Sequence, residues 1–175
     1  MIPRNTTGIS RLMSNKQKNK MKTTTIEKIA VAVWQHYSAR HGKNKQEFLW
    51  DIEAVHKGGA DSGIPAFTYF NDTCAFFDKY RSLIRQKLIE DADEYEMSIT
   101  EMVKSFAVFD GCFQTAKDEA DFWAILSGKK TNSELKDHFK NGLCFYALEE
   151  ASNFIIEDKK GNIDFLLEKE KGKTK

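Results

Sequence analysis

The sequence predicts a mainly α-helical domain of about six helices, and three observations carry that prediction. The chain of 175 residues holds only two Pro and ten Gly, so few positions interrupt a helix. Three capping-box patterns, Thr24-x-x-Glu27, Asn44-x-x-Glu47 and Ser98-x-x-Glu101, stand directly ahead of apolar side chains at helical spacing, where such boxes satisfy the first orphaned N–H groups of a helix. Apolar residues then recur every three or four positions over most of the chain. Hydrophobic residues make up 41% of it, thirteen of them Phe, which is enough for one core at a length that suits one domain.

The elements follow in order. The first helix opens at Thr24, with Ile26, Ile29, Val33 and Tyr37 as its buried face, and Gly42 stops it. Asn44-x-x-Glu47 opens a second, striped by Phe48, Leu49, Ile52 and Val55 and ended by Gly58-Gly59. The connection is so short that the two form an antiparallel hairpin. A short extended segment near 64–70 follows, held by Pro65. Asn71 or Asp72 then caps the longest helix, whose buried face is Phe76, Phe77, Tyr80, Leu83, Ile84 and Leu88. Glu90, Asp91, Asp93, Glu94 and Glu96 crowd its C-terminal end, where negative charge opposes the helix dipole and favours fraying.

From Ser98, helical spacing runs through Ile99, Met102, Val103, Phe106 and Phe109 to Asp110-Gly111. Thr115 caps a helix through Leu126, with Asp118, Glu119 and Asp121 early and Gly128 just past its end. Asn132 or Ser133 opens a longer helix carrying Leu135, Phe139, Phe145, Leu148, Ser152 and Ile155, with Gly142 as a bend or a close-packing point. Beyond it, Asn153–Ile156 and Ile163–Leu167 flank the turn-like Asp158-Lys-Lys-Gly-Asn, and a C-terminal hairpin competes there with continued helix. The organisation is therefore a basic arm over 1–22, a helical domain over 23–157, and a charged tail or short terminal element over 158–175.

The net charge of +1 conceals a division. Residues 1–25 carry Arg4, Arg11, Lys16, Lys18, Lys20 and Lys22 with no acid, and the stretch from Ile26 to Ile156 is acidic by six charges. Cys74, Cys112 and Cys144 are odd in number and sit beside apolar neighbours, which argues against a disulfide framework. No run approaches eighteen apolar residues and no apolar stretch leads the chain, so neither membrane spanning nor secretion is expected and the compartment is the cytoplasm.

The most distinctive segment is Gly58-Gly-Ala-Asp-Ser-Gly-Ile-Pro-Ala-Phe-Thr-Tyr-Phe-Asn-Asp-Thr73. Its glycines suit a phosphate cradle, but the following helix starts late behind an acidic cap, and no Lys-Ser or Lys-Thr follows the last glycine. Asp61 and Ser62 with His56 supply the letters of a hydrolase triad without its Gly-x-Ser-x-Gly elbow. Helix stop, turn and helix start explain the glycines, Pro65 and the Asn71-Asp72 pair. What they leave unexplained is the company of Asp61, Ser62, Thr68, Tyr69 and Asp72 with Phe67, Phe70, Phe76 and Phe77, which either packs as core or lines a pocket. Those five polar residues are the candidate binding residues. The four His and the Glu149-Glu150 pair lack metal-site spacing, so no metal and no cofactor are expected.

The pattern Gly59-Ala-Asp-Ser-Gly-Ile-x-x-Phe-x-Tyr-x-x-Asp-Thr-x-x-Phe76, with Tyr146-Ala-Leu-Glu-Glu150 later, resembles a family of small uncharacterised proteins encoded by phages and other mobile elements. The likeness spans about residues 45–152 and has no established activity attached. It implies a small protein acting in the cytoplasm of a bacterial host by binding a host component. The leading expectation is a noncatalytic protein-binding or accessory factor with an unidentified protein partner. A small-ligand binder or enzyme using residues 58–73, and nucleic-acid binding through the basic arm 1–22, are the alternatives.

Overall fold

The computed structural model describes residues 23–59, 63–129 and 138–173. Among these are seven α-helices and no strand: α1 (Thr25–His41), α2 (Lys45–Gly58), α3 (Phe70–Glu94), α4 (Ile99–Lys104), α5 (Ala116–Ser127), α6 (His138–Glu157) and α7 (Lys159–Lys173), with a 3-10 turn at Ala107–Phe109 after α4. The fold is all-α, as composition and periodicity predict. The expected arm 1–22, and the expected start of the long helix at Asn132 or Ser133, lie outside the described residues.

The caps form where the sequence puts them. Thr24 and Ser98 make complete capping boxes with Glu27 and Glu101, and Thr115 does the same with Asp118. The Asn44 side chain accepts the Glu47 N–H at 3.0 Å. Each such cap is worth about 1 kcal/mol against alanine, enough to set where a helix begins. Gly42, Gly59 and Gly128 follow their helices with positive φ, a conformation that a side chain would strain.

Three expectations change. Asn71 and Asp72 do not cap the longest helix; α3 begins at Phe70, Tyr69 stands at the cap with no side-chain bond, and both polar residues fall in its first turn. The acidic end of α3 does not fray before Glu94, because Asp91 is buried there and bonded. The helical spacing from Ile99 to Phe109 hides a break after Lys104, where the Ser105 hydroxyl turns back onto the Met102 carbonyl and the chain tightens into the 3-10 turn. At the C-terminus the helical alternative is the one formed. α6 ends at Glu157, and α7 starts within two residues and seats Ile163 and Leu166 in the core.

The architecture is a helix wrapped by others. α6 packs against α1, α2, α3, α5 and α7, and its buried residues Gly142, Leu143, Cys144, Tyr146, Ala147 and Leu148 cover nearly its whole circumference. A helix buried over most of its circumference belongs in an interior. α1 is the second such element, with Ile29 to Trp34 all buried rather than only the stripe that periodicity marks. Seven of the thirteen Phe residues fall in three clusters. Phe48 joins Trp34 and Tyr37 between α1 and α2; Phe109, Phe113, Phe122 and Phe139 meet where the 3-10 turn, α5 and α6 converge; Phe67 and Phe76 close on His36.

Gly142 is a close-packing point. A Cβ placed there would lie 2.6 Å from the Phe109 ring, well inside contact distance. Gly142→Ala is expected to destabilise the fold by about 1–3 kcal/mol through overpacking. Urea unfolding followed by circular dichroism reads this as a lower midpoint at unchanged slope, and an unchanged midpoint would show that the Phe109 ring yields without cost.

Candidate functional site

The segment singled out by sequence is built as a latch. Ile64 and Phe67 are buried, the Phe67 N–H and the Thr68 hydroxyl both donate to the Ile64 carbonyl (3.1 and 3.0 Å), and Ala66 has φ of 76°. The expected extended stretch is thus a tight turn, with an unfavourable backbone conformation at Ala66 costing on the order of 1 kcal/mol. His36 holds it. One ring nitrogen, Nε2, lies 2.9 Å from the Ala66 carbonyl and the other, Nδ1, lies 3.0 Å from Arg40 Nη1, while Arg40 Nε reaches Asp72 at 3.5 Å. That geometry fits a neutral imidazole with Nε2–H donating to Ala66 and Nδ1 accepting from Arg40.

The described candidates therefore go separate ways. Thr68 is spent on the turn, Tyr69 is 74% exposed, and Asp72 pairs with Arg40. Asp61 and Ser62 lie outside the described residues. His56 bonds through Nδ1 to Asn153 Oδ1 at 2.9 Å. Thr73, beside these candidates, is fully buried, bonding the Phe70 carbonyl at 2.8 Å and lying 2.7 Å from the Asn141 side-chain amide.

A cavity of about 800 Å³ opens elsewhere, and of the segment 58–73 only Gly59 reaches it among the described residues. Its walls come from the end of α3 (Asp91, Tyr95), Met97, the α4 to 3-10 stretch (Met102, Ser105, Phe106, Ala107, Val108) and one face of α6 (Phe145, Tyr146, Glu149, Glu150, Asn153). Phe106 stacks on Tyr146 with centroids 5.3 Å apart and planes 15° from parallel. Tyr95, 57% exposed, and the exposed Met97 and Val108 form an apolar rim.

Two helical i,i+4 pairs face each other at one wall. Lys87 and Asp91 of α3 pair at 2.5 Å, and Lys87 also reaches Glu150 of α6 at 3.5 Å. Tyr146, one turn before Glu150, donates its hydroxyl to the other Asp91 oxygen at 2.5 Å. Burial pushes the Tyr146 phenol well above its ordinary value, and the bond to Asp91 adds to this, so the ring is a neutral donor. Burial, the largest influence on Lys87, works against its charge; Asp91 and Glu150 outweigh it and raise the ammonium's pKa. Burial and then Asp91 raise the Glu150 carboxyl, with Lys87 opposing. The side chains of Lys87 and Asp91 are 14% and 10% exposed and that of Glu150 28%. Glu150 is thus the carboxylate of the network that a ligand in the cavity meets.

Sequence reasoning missed this site. Its signals were the Lys87–Asp91 spacing, which runs into an acidic stretch read as a fraying helix end, and Tyr146–Glu150, which carried a family pattern without a role. Among the described residues no group of three or more His, Cys, Asp or Glu is placed to hold a metal ion, and no helix is long and apolar enough to cross a membrane.

The fold and cleft together define a small all-α domain with an apolar-rimmed, carboxylate-bearing cavity beside its central helix. The chain belongs to the family described as Domain of unknown function (DUF7222), whose model matches residues 18–160. No curated protein and no solved structure matches it.

Two outcomes test the site's construction. Tyr146→Phe removes the donor to a buried carboxylate and is expected to cost about 2 kcal/mol, read as a lower urea midpoint; no change would mean that Asp91 finds water instead. For the latch, burial and the Arg40 charge lower the His36 pKa to about 4 from the ordinary 6.5. Above 6.5 both states are neutral, and below it the unfolded chain takes the proton first, so stability falls as pH drops from 6.5 towards 4. The loss is on the order of 1 kcal/mol at pH 5.5. Urea midpoints at pH 7.5 and 5.5 should differ accordingly in the wild type and less in His36→Gln; equal slopes in both would remove His36 as the source.

Proposed function

We propose that this protein is a noncatalytic binding factor of a phage or other mobile element, working in the bacterial cytoplasm on a host protein, and that the cleft beside α6 is its contact surface. One observation carries this reading: Tyr95, Met97 and Val108 leave apolar surface in water together, at the rim of a single cavity. Scattered exposed apolar residues are ordinary, but grouped ones around a concavity mark an interaction site. The polar network supports binding over catalysis. Both Asp91 oxygens are occupied, Tyr146 stays protonated and Lys87 stays charged, which leaves no poised nucleophile or base among the three. The likeness of residues 45–152 to proteins of mobile elements supports the setting.

A cavity of about 800 Å³ also falls within the roughly 300–1,000 Å³ of small-molecule sites. A small ligand in this same cleft is the second reading, and native mass spectrometry of protein purified from its host tests it through a retained mass that Tyr146→Phe diminishes.

For the first reading, a photo-crosslinking amino acid is placed at Val108 and, as a control, at the exposed Trp50 of α2 in bacterial cells. Val108 is expected to give a discrete protein adduct that Trp50 does not. Tyr95→Ala should weaken it about tenfold, as loss of an aromatic anchor does. Equal or absent adducts at the two positions would sink the assignment of the cleft.

A further inference from the structure

The cleft lies close to the point where the basic arm joins the fold. The described chain opens at Thr23, and two residues on, the Thr25 hydroxyl donates to Glu90 of α3 at 2.6 Å. Asp91, the next residue, lines the cleft, and Tyr95 of its rim stands five residues beyond Glu90, about 8 Å along a helix axis. The backbone fixes where the rim begins. Glu96 takes a left-handed φ of 55°, and the Met97 N–H returns to the Ala92 carbonyl at 3.0 Å, which ties Met97 to the end of α3.

The sequence of the arm suits this path. Lys16, Lys18, Lys20 and Lys22 recur at every second position, a spacing that puts all four on one side of an extended chain. Residues 90–97, which lead from the Thr25 contact to the rim, contain five acidic residues and no Lys or Arg. Ahead of the lysines, Ile9, Leu12 and Met13 place three apolar side chains within five residues. The nine residues between Met13 and Thr23 span up to about 30 Å when extended, several times the length of helix between Glu90 and Tyr95. A short tether of this kind holds a segment near its site at an effective concentration of about 1 mM. Weak burial of the apolar rim is then enough to keep it there.

Resting on the reading of the cleft as a contact surface, we propose that residues 9–13 of the chain's own arm occupy it, led along the acidic end of α3 by the four lysines, and that a partner binds by displacing them. Ile9, Leu12 and Met13 cover the rim of Tyr95, Met97 and Val108, which otherwise stands in water. The arm thereby sets a threshold that a partner's own contacts must exceed, because the cleft holds one occupant at a time.

A photo-crosslinking amino acid at position 108 identifies the occupant. In purified full-length protein, illumination is expected to join position 108 to residues 9–13 within one molecule, as mapped by mass spectrometry of the peptides. An equal mixture of 14N- and 15N-labelled chains should give no mixed adduct. Ile9→Ser combined with Leu12→Ser should lower this self-adduct at least fivefold and, in bacterial cells, raise the partner adduct at least threefold, with the urea midpoint unchanged. Lys16→Gln, Lys18→Gln, Lys20→Gln and Lys22→Gln together should lower the self-adduct at least twofold at low salt.

A partner adduct in cells without any self-adduct in purified protein overturns the inference and leaves the contact surface standing. If the serine variant loses the self-adduct but gains no partner adduct, the arm does not compete with a partner. A mixed-isotope adduct makes the occupant the arm of a second copy, and the intramolecular assignment fails. An unchanged self-adduct in the glutamine variant removes the lysines as guides. Absence of both adducts, in the wild type and in the serine variant, overturns this inference and the contact-surface reading together.

Discussion

α6 is buried over most of its circumference, and the polar side chains on its buried side constrain everything packed around it. Each polar side chain buried there must be answered by a neighbouring helix. Tyr146 and Glu150 lie on the side facing α3, so α3 must present a carboxylate and an ammonium at matching heights. Lys87 and Asp91, one turn apart, do so. The pairing sets the register of α3 against α6 more narrowly than apolar packing can, since sliding by one turn would leave a buried carboxylate without its donor. The same requirement explains why α3 stays helical through an acidic end that opposes its dipole.

Around that seam the remaining contacts are apolar and aromatic, and they tolerate less variety than their chemistry suggests. Phe109 lies so close to α6 that position 142 has no room for a side chain. Tyr37 is enclosed yet keeps its hydroxyl on Asp51 of α2 at 2.7 Å, so the α1–α2 pairing also contains one specific polar contact within an aromatic cluster. The core is thus registered by a few hydrogen-bonded points and filled by rings between them.

Much of this was legible in the sequence, and what was not has a common cause. Capping residues and glycines act locally, and Thr24, Asn44, Ser98, Thr115, Gly59 and Gly128 all perform as their neighbours in sequence imply. Periodicity found the buried stripes but understated α1 and α6, because a stripe is only the minimum that an enclosed helix buries. Asn71 and Asp72 looked like caps, yet tertiary partners decided otherwise: Asp72 turned to Arg40, 32 positions earlier. The cleft was invisible for the same reason. Asp91 and Tyr146 are 55 residues apart, and no pattern in a single sequence joins an acidic run to a tyrosine so distant. The aromatic segment that drew attention is a turn pinned by His36, whose role could be read only from a bond 30 positions away.

The position of α7 has a consequence for how the chain acquires its shape. This helix lies almost wholly beyond the stretch shared with the family, yet it packs on α1 as well as α6 and puts Ile163 and Leu166 into the common core. The first described helix is therefore completed by the last. Part of the apolar surface of α1 is covered only by this segment far along the chain, and closure by so distant a contact carries the entropy of a long loop.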